Sequence, residues 1–430
     1  MLDPHPPVDS ATLDDEQVPF LKVLGPGLIT GVSDDDPSGI ATYSQAGAQF
    51  GLGLIWTMLF SYPLMASVQE IAAHIGRVTG RGLAANMKDH YSPLLLYPVV
   101  ILLVIANVLN LGADIGAVGE SLHLVLGGSA IVYCALFVLV SLLLQIFIPY
   151  TRYVFWLKWL CLSLFAYVAT VFTVSVPWLQ ALRAVLVPHL NFDAATLKMF
   201  VAILGTTISP YLFFWQASEE AEEVTDDPQA HALNCSQVGA AAEFRRIKMD
   251  TYIGMGVSNI VAIFIMITTA VSLNAAGITQ IDTAAQAAEA LRPLAGPACF
   301  WLFSLGIIGS GLLAVPVLAG STAYAVGEAL GWPIGLERKP LEAKAFYTCL
   351  AAATLVGLAL NLIHFDPIKA LIWSAVINGV AAVPIIVVML LMASNHQVMN
   401  RLVISWRLKA LGWLTAGVMA IAAAGMFLTI

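Results

Sequence analysis

The chain carries little charge. Only 11% of its 430 residues are Asp, Glu, Lys or Arg, while 59% are hydrophobic. Soluble domains carry roughly 25% charged residues. A chain this apolar cannot cover itself with polar surface, so lipid is its expected solvent. It also lacks a basic excess: the net charge of −8 argues against a nucleic-acid partner. It has no GxxxxGK[ST] loop, the mark of an ATP-driven pump, and no nucleophile–base or cofactor motif that would make it an enzyme. The cysteines Cys134, Cys161, Cys235, Cys299 and Cys349 have no paired spacing and read as free thiols. The first twenty residues lack the basic start and short apolar run of a signal peptide. Polar, acidic and proline-bearing, residues 1–20 read as a disordered cytoplasmic tail ahead of one transmembrane domain, 21–430.

Long apolar runs dominate the rest. A spanning helix needs about 20 apolar residues, and eleven candidates are present: 22–47, 51–76, 94–125, 130–149, 153–178, 196–217, 251–275, 298–326, 344–364, 368–394 and 409–429. Basic residues mark the cytoplasmic side of such a chain. With the N-terminus inside, that side holds Lys22; Arg77, Arg81 and Lys88; Arg152 and Lys158; Arg245, Arg246 and Lys248; Arg338, Lys339 and Lys344; Arg401, Arg407 and Lys409. The other side holds only Arg183, Lys198, Arg292 and Lys369. The alternation predicts a multi-pass protein of the inner (cytoplasmic) membrane with its C-terminus outside.

Two of these runs contain what a simple spanning helix avoids. The first places Asp34, Asp35 and Asp36 in mid-span, followed by Pro37, Ser38 and Gly39. The sixth has Thr206, Thr207, Ser209 and Pro210 near its middle. Proline removes a backbone donor and clashes with the preceding turn, and freed backbone groups survive at membrane depth only inside protein or beside water. Interrupted segments at matching places in two halves point to a transporter's central site. The predicted architecture is all-α: two inverted five-helix repeats of LeuT-like type (22–178 and 196–394), discontinuous helices 1 and 6, and an eleventh helix at 409–429. A single aspartate at the bilayer centre costs roughly 2.5–3.5 kcal/mol on insertion scales, so three neighbours call for water, a proton or a cation. Asp36, at the break, is the candidate direct ligand. Asp34 and Asp35 point elsewhere on a regular helix and are candidates for lining the pathway or pairing with other groups.

The segment from Gly25-Pro26-Gly27 through Asp36-Pro37 and Ala41-Thr42 to Gln45-Ala46-Gly47-Ala48-Gln49-Phe50-Gly51 resembles the Nramp family of divalent metal-ion transporters. The family's Asp-Pro-Gly-Asn motif meets Asp36-Pro37-Ser38-Gly39 here, and its Met-Pro-His motif meets Ser209-Pro210-Tyr211. The resemblance implies a metal site of Asp36, Gly39, Thr206 and Ser209, with Gly39 and Ser209 replacing the amide and thioether ligands of the manganese and iron carriers. Soft sulfur favours later transition metals, whereas carboxylate, carbonyl and water suit magnesium, calcium and manganese. Magnesium keeps several of its waters and needs one or two carboxylates. The pattern is similar to the family's magnesium-transporting branch, which implies a secondary transporter of hydrated Mg²⁺, with Mn²⁺ as a further substrate, working by alternating access. The transported ion is the bound metal, and no other cofactor is expected.

In the third run, Asn107, Asn110 and Asp114 fall on one helical face. The family's proton-coupled members carry a Glu three residues after that Asp, and a histidine after the second proline. Here those positions are Ala117 and Tyr211, which implies weak or absent proton coupling. Glu219 and Glu220 are expected to face the pathway mouth, and Asn378 to contact a hydrated ion; interhelical hydrogen bonding is an equal reading for the asparagines. Two further functions stay open on this pattern: a proton-coupled Mn²⁺/Fe²⁺ importer, and a sodium-coupled symporter of organic solutes on the same scaffold. Lipid and divalent ions are the expected partners, with no obligatory protein partner.

Overall fold

A computed structural model describes residues 26–148, 164–189, 191, 193–226, 231–235, 239–363 and 366–429. Among them there are helices, turns and loops, and no strand. The principal helices are α1 (Pro26–Asp34), α2 (Pro37–Phe50), α3 (Trp56–Thr79), α4 (Leu83–His90), α5 (Pro93–Leu126), α6 (Ala130–Phe147), α7 (Phe165–Val171), α8 (Trp178–Leu186), α9 (Ala194–Thr207), α10 (Pro210–Asp226), α11 (Ala240–Thr269), α12 (Ala284–Glu289), α13 (Cys299–Leu330), α14 (Lys344–Leu360), α15 (Pro367–Ala393) and α16 (Trp406–Thr429).

Among the described residues, eight stretches are long and apolar enough to cross a membrane: Pro93–Leu126, Ala130–Phe147, Ala194–Thr225, Ala240–Asn274, Arg292–Leu330, Lys344–Ile363, Pro367–Ala393 and Trp406–Thr429. They coincide with eight of the apolar runs expected from sequence. The run at 22–47 holds α1 and α2. The run at 51–76 is α3, whose second half carries Gln69, Glu70, His74 and Arg77. Residues 153–163 of the fifth run, and the tail at 1–20, lie outside the described residues.

Burial runs opposite to that of a soluble protein. Large apolar side chains face outward, among them Ile101 and Ile105 on α5, Leu136 and Leu139 on α6, and Ile421 and Phe427 on α16. Asp34, Asp36, Asn107, Asn110, Asp114 and Gln216 are shielded inside. An exterior of this kind is suited to hydrocarbon, where water does not reward polar surface.

Small residues set the closeness of the interior helices. An ideal Cβ on Gly31 of α1 would lie 2.2 Å from the carbonyl carbon of Gly254 in α11. On Gly76 of α3 it would lie 2.1 Å from the Ala217 carbonyl oxygen in α10, and on Gly205 of α9, 2.0 Å from that of Ala375 in α15. Backbones approach this closely in membranes where the interface lacks side chains. Through these seams α1 packs on α11, α10 on α3 and α9 on α15, while α5 packs along α13, α14 and α15.

Candidate functional site

The site forms where four helix ends meet. Helix α1 stops at Asp34 and α2 starts at Pro37. Asp36 has φ −69° and ψ 168°, an extended conformation, and serves as the N-cap of α2. Proline imposes that conformation on the residue before it and suits the first helical position, where its missing N–H costs nothing. Helix α9 stops at Thr207 and α10 starts at Pro210, with Ile208 at φ −124° and ψ 60°.

The Asp36 carboxylate is the hub. Its Oδ1 accepts from the Gly39 N–H at 2.6 Å. Its Oδ2 accepts from Asn110 Nδ2 at 3.1 Å and from the Tyr211 hydroxyl at 3.3 Å. The same hydroxyl also lies 3.2 Å from the Ser33 carbonyl, which staples α10 to the end of α1. Asn110 Nδ2 is 3.1 Å from Asp114 Oδ2, and Asn378 on α15 approaches Asn110 Oδ1 at 3.5 Å. Asp114 Oδ1 and Asn378 Oδ1 are buried without a hydrogen-bond partner. The site residues are buried: Asp36 is 2% exposed, Thr206 3% and Asn110 0%.

Gly39 permits a close approach at the hub. An ideal Cβ there would stand 3.1 Å from Thr206 Oγ1, 3.2 Å from the Asp34 carbonyl oxygen and 3.4 Å from Asp36 Oδ1. Three oxygens from α9, the end of α1 and the N-cap of α2 thus gather round Gly39, closer than a side chain would comfortably allow. Hard cations with oxygen coordination suit such a set, directly or through their waters. Among the described residues, no group of three or more His, Cys, Asp and Glu side chains is arranged to hold a metal, so an ion here would rest on one carboxylate, main-chain and hydroxyl oxygens, and water.

The other expected site residues divide. Ser209 turns its hydroxyl back to the Gly205 and Thr206 carbonyls, at 2.8 and 3.0 Å, the ordinary habit of serine near a helix end. Asp34 and Asp35 turn to α11, where Ser258 lies 2.9 Å from Asp34 Oδ2 and 3.1 Å from Asp35 Oδ1. Asn107 Nδ2 bonds across to Ser321 and Thr322 on α13, at 2.9 and 3.0 Å. The structure does not bring Glu219 and Glu220 to Asp36. Glu220 pairs with Arg246 at 2.6 Å, and Glu219 lies 3.4 Å from the Tyr324 hydroxyl. Asn107→Leu is therefore expected to lower stability by about 0.6–1.7 kcal/mol, the range for interhelical hydrogen bonds in membranes. Metal affinity should stay unchanged; unfolding in detergent and metal titration on one preparation check both.

Two residues escaped sequence reasoning. Ser258 is one serine in an apolar helix, and its role rests on neighbours more than 220 positions away. Tyr43, four residues after Gly39 on α2, is fully buried. Its hydroxyl lies within electrostatic reach of Asp34, Asp35 and Asp36, with Thr206 a polar neighbour too loosely placed for a full hydrogen bond. The four-residue spacing from Gly39 was the available signal.

Helix ends meeting at a shielded carboxylate, inside a sheath of lipid-facing helices, define a multi-pass membrane protein of transporter architecture. Residues 27–429 match the family model described as natural resistance-associated macrophage protein-like, Nramp, and the chain belongs to that family. Its fold is similar to that of a mutant manganese transporter from Eremococcus coleocola, with a TM-score of 0.75, 18% identity and coverage of 95% of this chain and 87% of that one. A second similar structure is a nucleobase-cation-symport-1 family transporter in a closed conformation with bromovinylhydantoin bound. The TM-score there is 0.54 at 14% identity, covering 95% of this chain and 91% of that one. At such identities the likeness concerns the fold, which is all-helical and LeuT-like.

Proposed function

We propose that the chain is a secondary transporter of divalent metal cations, favouring hydrated Mg²⁺ and also carrying Mn²⁺, without proton coupling. The observation that carries this reading is the close approach to Gly39 of oxygens of Thr206, Asp34 and Asp36, gathered where a side chain would crowd them. A site with one carboxylate and no sulfur holds a hard, partly hydrated ion better than a dehydrated transition metal. Family membership and the named activity of the Eremococcus coleocola protein support divalent metals as the class of cargo.

In this reading the chain makes eleven spans, two inverted five-helix repeats and an appended helix, with spans 1 and 6 divided at Asp36 and Ile208. It sits in the inner membrane, N-terminus inside and C-terminus outside, as its basic residues favour. Alternating access turns about the seams at Gly31, Gly76 and Gly205. The absence, among the described residues, of a histidine or glutamate beside Asp36 supports proton independence, although Asp114 lies one amide away through Asn110. The Asp36 carboxylate is held by donors that do not titrate near neutral pH, among them the Gly39 N–H, the Asn110 amide and the Tyr211 hydroxyl. A proton relay needs titratable groups in series, and Ala117 and Tyr211 stand where the family's relay would continue.

Proteoliposomes with internal reporters for Mg²⁺, Mn²⁺ and pH test the proposal. Expected are Mg²⁺ and Mn²⁺ entry with no metal-driven acidification. Mn²⁺ entry with strong acidification and no Mg²⁺ entry would instead assign the chain to the proton-coupled transition-metal carriers.

A further inference from the structure

The buried centre holds more carboxyl groups than one dication at Asp36 would engage. Asp34, Asp35, Asp36 and Asp114 are 1%, 5%, 2% and 0% exposed. Among the described residues, the lysine, arginine and histidine ion pairs all involve other carboxylates. These four carboxylates therefore have, among the described residues, no cationic side chain within ion-pair distance. A dication held at Asp36 leaves Asp34 and Asp35 without a cation of their own.

Asp34 and Asp35 form a site of their own. They end α1 on the seam with α11, and both reach the same atom: Ser258 Oγ lies 2.9 Å from Asp34 Oδ2 and 3.1 Å from Asp35 Oδ1. A serine hydroxyl has one proton to donate, so it satisfies one of these oxygens at a time. The other oxygen of Asp34, Oδ1, is buried with no hydrogen-bond partner. Two carboxylates crowded round one hydroxyl oxygen, one of them with an orphaned lone-pair face, are a donor set in need of a positive charge. The chemistry suits Mg²⁺ or Mn²⁺: hard oxygens, two formal negative charges and few protein ligands, the remaining positions being left to water.

We infer that Asp34, Asp35 and Ser258 hold a second dication beside the one centred on Asp36. The inference rests on the transport reading above. It adds that the pathway is doubly occupied, with the second ion on the side of Asp36 from which α1 enters. Consecutive residues are about 3.8 Å apart along the chain, so the ions sit close enough to repel one another. Binding of one ion then loosens the other, as multi-ion pathways require for release.

Mn²⁺ binding to the purified full chain tests this, by equilibrium dialysis and by the electron paramagnetic resonance spectrum of the bound ion. Two Mn²⁺ per chain are expected in the unmodified protein, with a spectrum broadened by coupling between neighbouring ions. That measurement needs no variant to fold. The pair Asp34→Asn with Asp35→Asn should reduce the stoichiometry to one and sharpen the spectrum, and Asp36→Asn should do the same from the other side. One Mn²⁺ per chain, lost in Asp36→Asn and kept in the Asp34, Asp35 pair, would overturn the second site and leave the transport reading standing. No Mn²⁺ bound to the unmodified protein would overturn both.

Discussion

Asp36→Asn is expected to lower dication uptake by more than about 100-fold while leaving the protein folded. Loss of a group that merely orients a metal ligand costs 10–100-fold in affinity; loss of the ligand's charge, in a site with one carboxylate at the convergence point, costs more. The change is a narrow one because Asp36 has two tasks. It joins the oxygens gathered beside Gly39, and it caps α2 through the Gly39 N–H at 2.6 Å. Asparagine is as good an N-cap as aspartate, whereas alanine forfeits about 0.5–2 kcal/mol. Asp36→Asn and Asp36→Ala should therefore be equally inactive in proteoliposomes, but only the alanine variant should unfold earlier on heating. Substantial Mg²⁺ uptake by Asp36→Asn would remove the carboxylate from the mechanism. Equal loss of stability in both variants would show that Asp36 matters through its charge for the fold as well.

Part of this site was legible in the sequence, and its legible part is local. Pro37 and Pro210 fix where helical dihedrals stop, because proline acts on its own residue and the one before it. The spacing of Asn110 and Asp114 put both on one face of α5, and they do meet, at 3.1 Å. The same spacing put Asn107 on that face too, yet Asn107 bonds to α13. A helix of 34 residues passes more than one neighbour along its length, and periodicity specifies direction around the axis, not which neighbour lies there. Glu219 belongs elsewhere on α10: it follows Tyr211 by eight residues on that helix, about 12 Å along the axis, so it lies toward the far end of the span and not among the groups round Asp36. The role of Ser258 had no local signal at all. It depends on α1 and α11 lying in contact at Gly31 and Gly254, a fact of tertiary packing between segments more than 200 residues apart.

Gly205→Ala is expected to cost about 1–3 kcal/mol or more of stability and to impair transport, whereas Gly417→Ala should do neither. Both glycines are inside helices, so propensity alone favours alanine at each by up to about 1 kcal/mol. They differ in what the added carbon meets. At Gly417 on α16 an ideal Cβ has no heavy atom within 4 Å. At Gly205 on α9 it would meet the Ala375 carbonyl oxygen at 2.0 Å, Gly379 N at 2.4 Å and Gly379 Cα at 2.7 Å. All three are backbone atoms of α15 and cannot rotate aside, so α9 must move bodily, and overpacking of this kind costs roughly 1–3 kcal/mol, occasionally more. The displacement reaches the site at once, because the next residue, Thr206, supplies one of the three oxygens round Gly39. Thermal unfolding of the two variants in one detergent, beside their uptake rates in proteoliposomes, checks the contrast. Comparable behaviour of the two would mean that α9 and α15 are not held in backbone contact in the membrane, and a rigid seam there could not serve as a pivot for alternating access.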